Sequence, residues 1–323
     1  MRALVLSGAA NYGPLQVGAI EAVLAAGYRP ELIVGSSAGG INGIFLAQRP
    51  SLPRAHRLAA LWREAAHLGL QLPGEGELVL RHVRGWEGLL PPHTLLRMFT
   101  PYFGGERATF GEVARSSGVR AYAVAMALEP AGVRVFGDRS EDRVIDGLMA
   151  TTAMPPMLPP WTVDGVRYLD GGIVANLPLR IAVERGADAI VAVDLAQAQA
   201  GFGSWRGMMR TAAFSIMAML EDQTAREVDW ARTIGIPLTL IRLSVPEGVP
   251  FWDFRHSFRL VRAGRGAAEE QLRQQGLPLG QETTFPEGER AGGTQPGAFV
   301  SGRFTMATKK RDAGDRPRHP RNA

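Results

Sequence analysis

Ala3-Leu4-Val5-Leu6-Ser7-Gly8-Ala9-Ala10-Asn11-Tyr12-Gly13 and Leu32-Ile33-Val34-Gly35-Ser36-Ser37-Ala38-Gly39 are the stretches that decide the fold. Each begins with a short apolar run, breaks at glycine and passes into residues with helical apolar spacing. After the first, Leu15, Val17, Ala19, Ile20, Val23 and Leu24 mark a helix over 15–26, and Gly27 stands where a C-cap is expected. After the second, a helix is predicted over 38–48. Two strand–glycine–helix units so close together predict a parallel sheet covered by helices. Working outward, strands are predicted at 119–126, 133–136, 189–195 and 238–244. Asp164-Gly165 reads as a two-residue hairpin turn between 161–163 and 166–169. Further helices are predicted at 53–69, 178–186, 205–233 and 256–274. Residues 71–100 read as an irregular excursion over the sheet, and Pro155-Pro156 and Pro159-Pro160 mark another irregular segment.

Composition narrows the function classes. The chain has 323 residues, 46% hydrophobic and 21% charged, as expected of a globular protein. Its net charge of +5 equals that of residues 303–323, which hold seven Lys/Arg and two Asp, so the body is near neutral. A basic nucleic-acid-binding core is thereby excluded. From about Pro286 the sequence turns to Gly, Pro, Thr and charge, and the only two lysines, Lys309 and Lys310, fall there. Residues 1–285 are therefore read as one domain and 286–323 as a disordered basic tail. With no cysteine, disulfides, a thiolate nucleophile and cysteine-ligated metal sites are excluded. No secretory leader is visible before the first strand. The longest apolar stretch, Thr211–Leu220, is about half the ~20 residues that span a bilayer. The expectation is a soluble cytoplasmic protein, with the basic tail leaving peripheral attachment to a membrane open.

Three segments could carry chemistry. Gly35-Ser36-Ser37-Ala38-Gly39 is a GxSxG pattern that follows a strand and starts a helix, the setting in which a sharp turn thrusts a serine hydroxyl clear of the backbone. The alternative for Ser37 is a helix-capping serine among packing glycines. Gly8–Gly13 is a small-residue turn whose backbone N–H groups can face an anion. Pro14 where a phosphate loop needs lysine, and no acidic residue at the end of the second strand, argue against nucleotide phosphates. An oxyanion hole remains. Asp170-Gly171-Gly172 follows the second strand of the predicted hairpin, where Asp170 is either a base for Ser37 or a solvated turn residue. Of six histidines only His256 and His319 follow Asp170. His256 reads as a capping or surface residue and His319 lies in the tail, so a Ser–Asp pair without histidine is preferred.

In this order and spacing the motifs resemble the patatin-like phospholipase family. The matching blocks are Leu6 to Gly18, then Gly35-Ser36-Ser37-Ala38-Gly39 with Asn42. Ala153-Met154-Pro155-Pro156, Tyr168-Leu169-Asp170-Gly171-Gly172 and Asn176-Leu177-Pro178 follow. The resemblance implies a three-layer α/β/α fold with a mostly parallel central sheet. It also implies hydrolysis of lipid acyl esters through an acyl-enzyme, without metal or nucleotide cofactor. By position, Ser37 is then the nucleophile and Asp170 the general base. Backbone N–H groups of Gly8, Ala9, Ala10 and Ala38 form the oxyanion hole, with Gly13, Gly35, Gly39, Gly171 and Gly172 in support. The chain departs from the family in its first block: Ala9 and Ala10 replace glycines, and Tyr12 stands where Arg or Lys is usual. An esterase or thioesterase acting on soluble esters, and a non-catalytic lipid-binding member, stay open as alternatives. Met154, Met157, Leu158 and Trp161 could exclude water and receive an acyl chain, or simply pack the core. The Met- and aromatic-rich 205–233 could line that channel or touch membrane, although a buried core helix is the plainer reading.

Overall fold

Alternation along the strands sets the layers. In the first strand Leu4 and Leu6 join one apolar core while Ala3 and Val5 join a second on the opposite face. The next strand repeats the pattern with Ile33 against Leu32 and Val34. A sheet apolar on both faces needs cover on both, which gives three layers.

The computed structural model describes residues 1–65, 83–196 and 207–275. Its strands are β1 (Arg2–Leu6), β2 (Leu32–Ser36), β3 (Arg120–Leu128), β4 (Ala131–Phe136), β5 (Trp161–Val163), β6 (Val166–Asp170), β7 (Ala189–Ala196) and β8 (Leu238–Ser244). Five of them run parallel in the order β3-β2-β1-β7-β8, and β4, β5 and β6 add an antiparallel flank at β3. The helices are α1 (Gly13–Ala25), α2 (Ala38–Ala47), α3 (Leu52–Ala65), α4 (Pro92–Phe99), α5 (Phe110–Ser117), α6 (Val144–Thr151), α7 (Gly172–Ala175), α8 (Leu179–Glu184), α9 (Gly207–Thr233) and α10 (Ser257–Gln274). One face of the sheet is covered by α1, α2, α3 and α10, and the other by α8 and the second half of α9.

The α/β sheet and the hairpin are as the sequence implies. Asp164 and Gly165 take φ of +49° and +80°, the two left-handed residues of a tight hairpin turn. Three eight-residue helices, α4, α5 and α6, were not expected. The irregular segment 71–100 thus contains a helix, while the rest of it up to 82 lies outside the described residues. The proposed boundary at 285/286 and the tail also lie outside them.

The long helix α9 corrects the plainer reading of 205–233. Ala213 and Leu220 are buried, but Met219 is 70% and Ile216 39% exposed, so its first half is not a core helix. Its second half is fastened by polar bonds, from Gln223 to Asn176 and Ile173, Thr224 to Asn176, and Glu227 to Arg180. No helix among the described residues is long and apolar enough to cross a membrane.

Candidate active site

Strand pairing along one edge of β3 builds the site. Ala123 and Val124 pair with β4 on one side and with Gly35 and Ser36 of β2 on the other. The next residue, Ala125, still pairs with β4, but its other partner is Asp170 of β6. Because β2 is parallel and β6 antiparallel to β3, the two strands meet with their carboxyl ends facing along the same edge. Ser37, just past the end of β2, is thereby set beside Asp170, the last residue of β6.

Ser37 takes φ +54° and ψ −126°, a left-handed conformation rare for a residue with a side chain. It is this serine, and not Gly35 or Gly39, that carries the strain of the turn. The glycines serve close packing: a Cβ on Gly35 would lie 2.3 Å from the Gly39 carbonyl oxygen, and one on Gly39 would lie 2.4 Å from that of Leu6. Gly171 likewise sits where a Cβ would come within 2.1 Å of the Val124 carbonyl, and Gly13 where it would strike the Trp62 ring.

Asp170 is fully buried. Its Oδ1 accepts a 2.7 Å bond from the Gly172 N–H. Oδ2 is buried without a fully formed hydrogen bond, and the Ser37 hydroxyl faces the carboxyl closely enough to favour its ionised form. Desolvation outweighs both and pushes the carboxyl from 3.8 up to about 7. A neutral-range carboxyl against a serine hydroxyl can exchange a proton with it near pH 7.

The end of α6 staples the two strand ends together. Thr151 Oγ1 accepts the Ser37 N–H at 2.9 Å, and the Thr151 carbonyl accepts the Gly171 N–H at 3.3 Å. The Asp170 N–H donates to the Ala153 carbonyl at 3.0 Å. Thr151 was not singled out from sequence, although it lies two residues before the Ala153-Met154-Pro155-Pro156 block.

Facing Ser37 is the loop between β1 and α1. The backbone N–H groups of Ala9, Ala10 and Ala38 make no hydrogen bond with described residues, and all three residues line the same cavity as Ser37 and Asp170. Gly8 departs from its expected role as a donor, since its N–H bonds to the Asn176 carbonyl at 3.1 Å. Its lack of a side chain is what admits Asn176, whose Oδ1 would lie 2.7 Å from a Cβ there. Ala10 does adopt a glycine-like φ of +45°. Two buried anchors hold the loop in this shape. Asn11 bonds the backbone at Pro250, Trp252 and Asp253 at 3.0–3.2 Å. Gln16 donates to the Ser7 carbonyl at 2.7 Å, while Asn42 ties Gln16 and the Gly13 carbonyl to the Trp62 indole.

The cavity beside Ser37 has a volume of about 170 Å³. Met154, Met157 and Leu158 line it; Trp161 does not, and its indole donates to Asp146 at 3.1 Å. Ala213, Met217 and Leu220 of α9 form part of the wall. His256 lies outside it, 3.4 Å from the Asp253 carboxylate. Among the described residues no group of three His, Asp or Glu side chains is disposed to hold a metal.

The family model for patatin-like phospholipases matches residues 4–183, more than half of the chain and all of the elements just described up to α8. The chain belongs to the patatin-like phospholipase family. Its relatives include mouse patatin-like phospholipase domain-containing protein 7, 24% identical over 201 residues, and the human protein 6 of that name, 26% identical over 203 residues. Each alignment covers 60% of this chain but 13% of the relative, so this patatin-like chain corresponds to a small part of those proteins. Solved structures with a similar fold include VipD from Legionella pneumophila (TM-score 0.47, 14% identity, 84% of this chain and 67% of that one). ExoU in its complex with SpcU from Pseudomonas aeruginosa is another (TM-score 0.43, 16% identity, 85% and 52%).

Proposed function

We propose that this patatin-like protein hydrolyses carboxylic esters of lipid acyl chains through a Ser37–Asp170 pair and an acyl-enzyme. The observation that carries this reading is the buried Asp170 carboxyl, one oxygen of which is unpaired, close to the hydroxyl of the strained Ser37 at the wall of an apolar cavity. Ionised Asp170 takes the Ser37 proton as Oγ attacks the ester carbonyl. The oxyanion of the tetrahedral intermediate is held by the N–H groups of Ala9, Ala10 and Ala38, each such donor being worth about 2.7–4 kcal/mol. The first turn of α2 adds the positive end of its dipole. Protonated Asp170 then passes its proton to the leaving alkoxide. In the second half Asp170 takes a proton from water as it attacks the acyl carbonyl, the bond to Ser37 Oγ breaks, and Asp170 returns the proton to Oγ as the fatty acid leaves. The apolar cavity wall supports an acyl chain as the bound group. Ile216, which lines the cavity yet stays partly exposed, and the exposed Met219 further along α9 suit work at a lipid surface.

A fluorophosphonate probe followed by peptide mapping tests this. Labelling at Ser37, and loss of p-nitrophenyl butyrate hydrolysis in Ser37→Ala, are expected. Equal hydrolysis by wild type and Ser37→Ala would refute the catalytic reading.

A further inference from the structure

The walls of the cavity carry an unusual charge pattern. Among the described residues that line it there is no Lys, Arg or His, and the one acidic side chain is Asp170. Next to the alanine donors stands Tyr12, buried, its hydroxyl donating to the Val249 carbonyl at 3.4 Å and its ring 6.4 Å from Phe251. From there aromatic contacts continue: Phe251 to Trp252 at 5.7 Å, Trp252 edge-on to Phe254 at 5.6 Å, and Phe254 stacked on Trp62 at 6.4 Å. These five rings make one side of the cavity. Leu90, Leu95, Met98, Met154, Met157 and Leu158 make another. Arg255, the arginine nearest this aromatic segment in sequence, is turned to Asp253, Nη2 to Oδ2 2.7 Å.

We propose that this site, acting as the ester hydrolase described above, selects uncharged acyl esters such as partial glycerides and rejects a phosphate beside the scissile bond. In a glycerophospholipid the phosphate lies only a few bonds from the ester carbonyl. Whichever limb of the cavity receives the acyl chain, the alcohol half meets an aromatic or aliphatic wall. A phosphate drawn there loses hydration with no cation among the described lining residues to compensate it, and buried unpaired charge is strongly disfavoured. It would also approach the Asp170 carboxylate, a like charge in a poorly screened site. A glyceride hydroxyl meets neither penalty. The selectivity therefore arises from what the walls lack as well as from what they offer.

The test uses the full chain and three dissolved substrates with identical acyl chains: dihexanoylglycerol, dihexanoylphosphocholine and dihexanoylphosphoglycerol, each below its aggregation threshold. Identical chains and the absence of an interface leave the head group as the sole variable. The expected result is a kcat/KM for the glyceride at least about tenfold above both phospholipids, which is 1.36 kcal/mol of transition-state discrimination. A smaller ratio, or the reverse order, overturns the inference. Met217→Arg places a cation on the wall from half-exposed α9, where the fold can carry it. It is expected to narrow the gap to the phosphoglycerol substrate at least about threefold, since Arg pairs well with phosphate; an unchanged ratio counts against the missing cation as the cause. Fluorophosphonate labelling of the same preparation separates the two levels. A protein labelled at Ser37 that prefers phospholipid overturns only the selectivity, whereas an unlabelled, inactive one overturns the hydrolase reading beneath it.

Discussion

Replacing Asp170 by Asn should remove activity and, above neutral pH, make the protein more stable. In the folded protein desolvation raises this carboxyl from 3.8 to about 7. Between those two values the folded form keeps its proton and the unfolded form gives it up. Any stability the proton brings is therefore complete below about pH 4 and lost as pH rises through about 7. At 1.36 kcal/mol per pKa unit the change amounts to about 4 kcal/mol, an upper bound on what ionised Asp170 takes from the fold at pH 8. The substituted amide would still accept the Gly172 N–H through its own oxygen, and it carries no charge to desolvate. Urea unfolding of the two proteins from pH 4.5 to 8.5 should show Asp170→Asn gaining on wild type as pH rises, by about 1–4 kcal/mol at the upper end. In parallel, wild-type kcat/KM for p-nitrophenyl butyrate should fall about tenfold per pH unit below 7, because only the ionised carboxyl accepts the serine proton. Parallel stability curves for wild type and Asp170→Asn, or a wild-type rate flat down to pH 5, would refute the buried-base argument. Retained activity in Asp170→Asn would refute it outright.

Three further outcomes follow from the same geometry. Ala10 sits at φ +45°, where a Cβ is strained, so Ala10→Gly should raise stability by about 0.5–1 kcal/mol in thermal or urea unfolding; a loss would mean the loop does not hold this shape. Thr151→Val leaves the buried Ser37 N–H without its acceptor, so stability should drop by about 1–3 kcal/mol and kcat by about tenfold with KM little changed, as kinetics on a soluble ester would show. His256→Ala should keep kcat/KM within about twofold of wild type, because His256 faces Asp253 and not the cavity; a loss of a hundredfold or more would bring histidine back into the mechanism.

The fold was legible because its signals are local. Strand, glycine and helix follow one another twice within the first fifty residues, and the hairpin announces itself in Asp164-Gly165. The short helices escaped because eight residues hold barely two turns of apolar spacing. One of them carried a readable mark all the same: Thr109 and Glu112 form a reciprocal capping box at the start of α5. At the site, Ser37, Asp170 and the alanine loop could be named from motif and order. Their meeting could not be derived from periodicity, since it depends on β2 and β6 pairing successive positions of one edge of β3. Gly8 was misjudged for a related reason: a backbone N–H has a direction that sequence does not state, and here it points to the Asn176 carbonyl. For 205–233 the channel-lining or membrane-touching alternative stood second to a core helix, because Met-rich helical spacing looks the same whether its outer side meets core or solvent.

Strain and unpaired polarity collect at one place in this molecule, which bears on the choice between an enzyme and a silent relative. Four non-glycine residues among those described take positive φ: Ala10, Ser37, Asp164 and Trp252. Asp164 is the expected hairpin residue, and the other three surround the cavity, each costing about 1–3 kcal/mol. The buried acceptors without partners among the described residues tell the same story, since two of the three, on Asp170 and Asn176, line that cavity. A purely structural protein relieves such a cost readily: Asp170→Asn would fit the same backbone. A catalyst needs these costs, because a serine held clear of the chain and a carboxylate left under-solvated are what make proton transfer between them easy near neutral pH. Substitutions that relieve the cost at Ser37 or Asp170 should therefore stabilise the fold and lower turnover together, a pattern a non-catalytic lipid-binding scaffold would not produce.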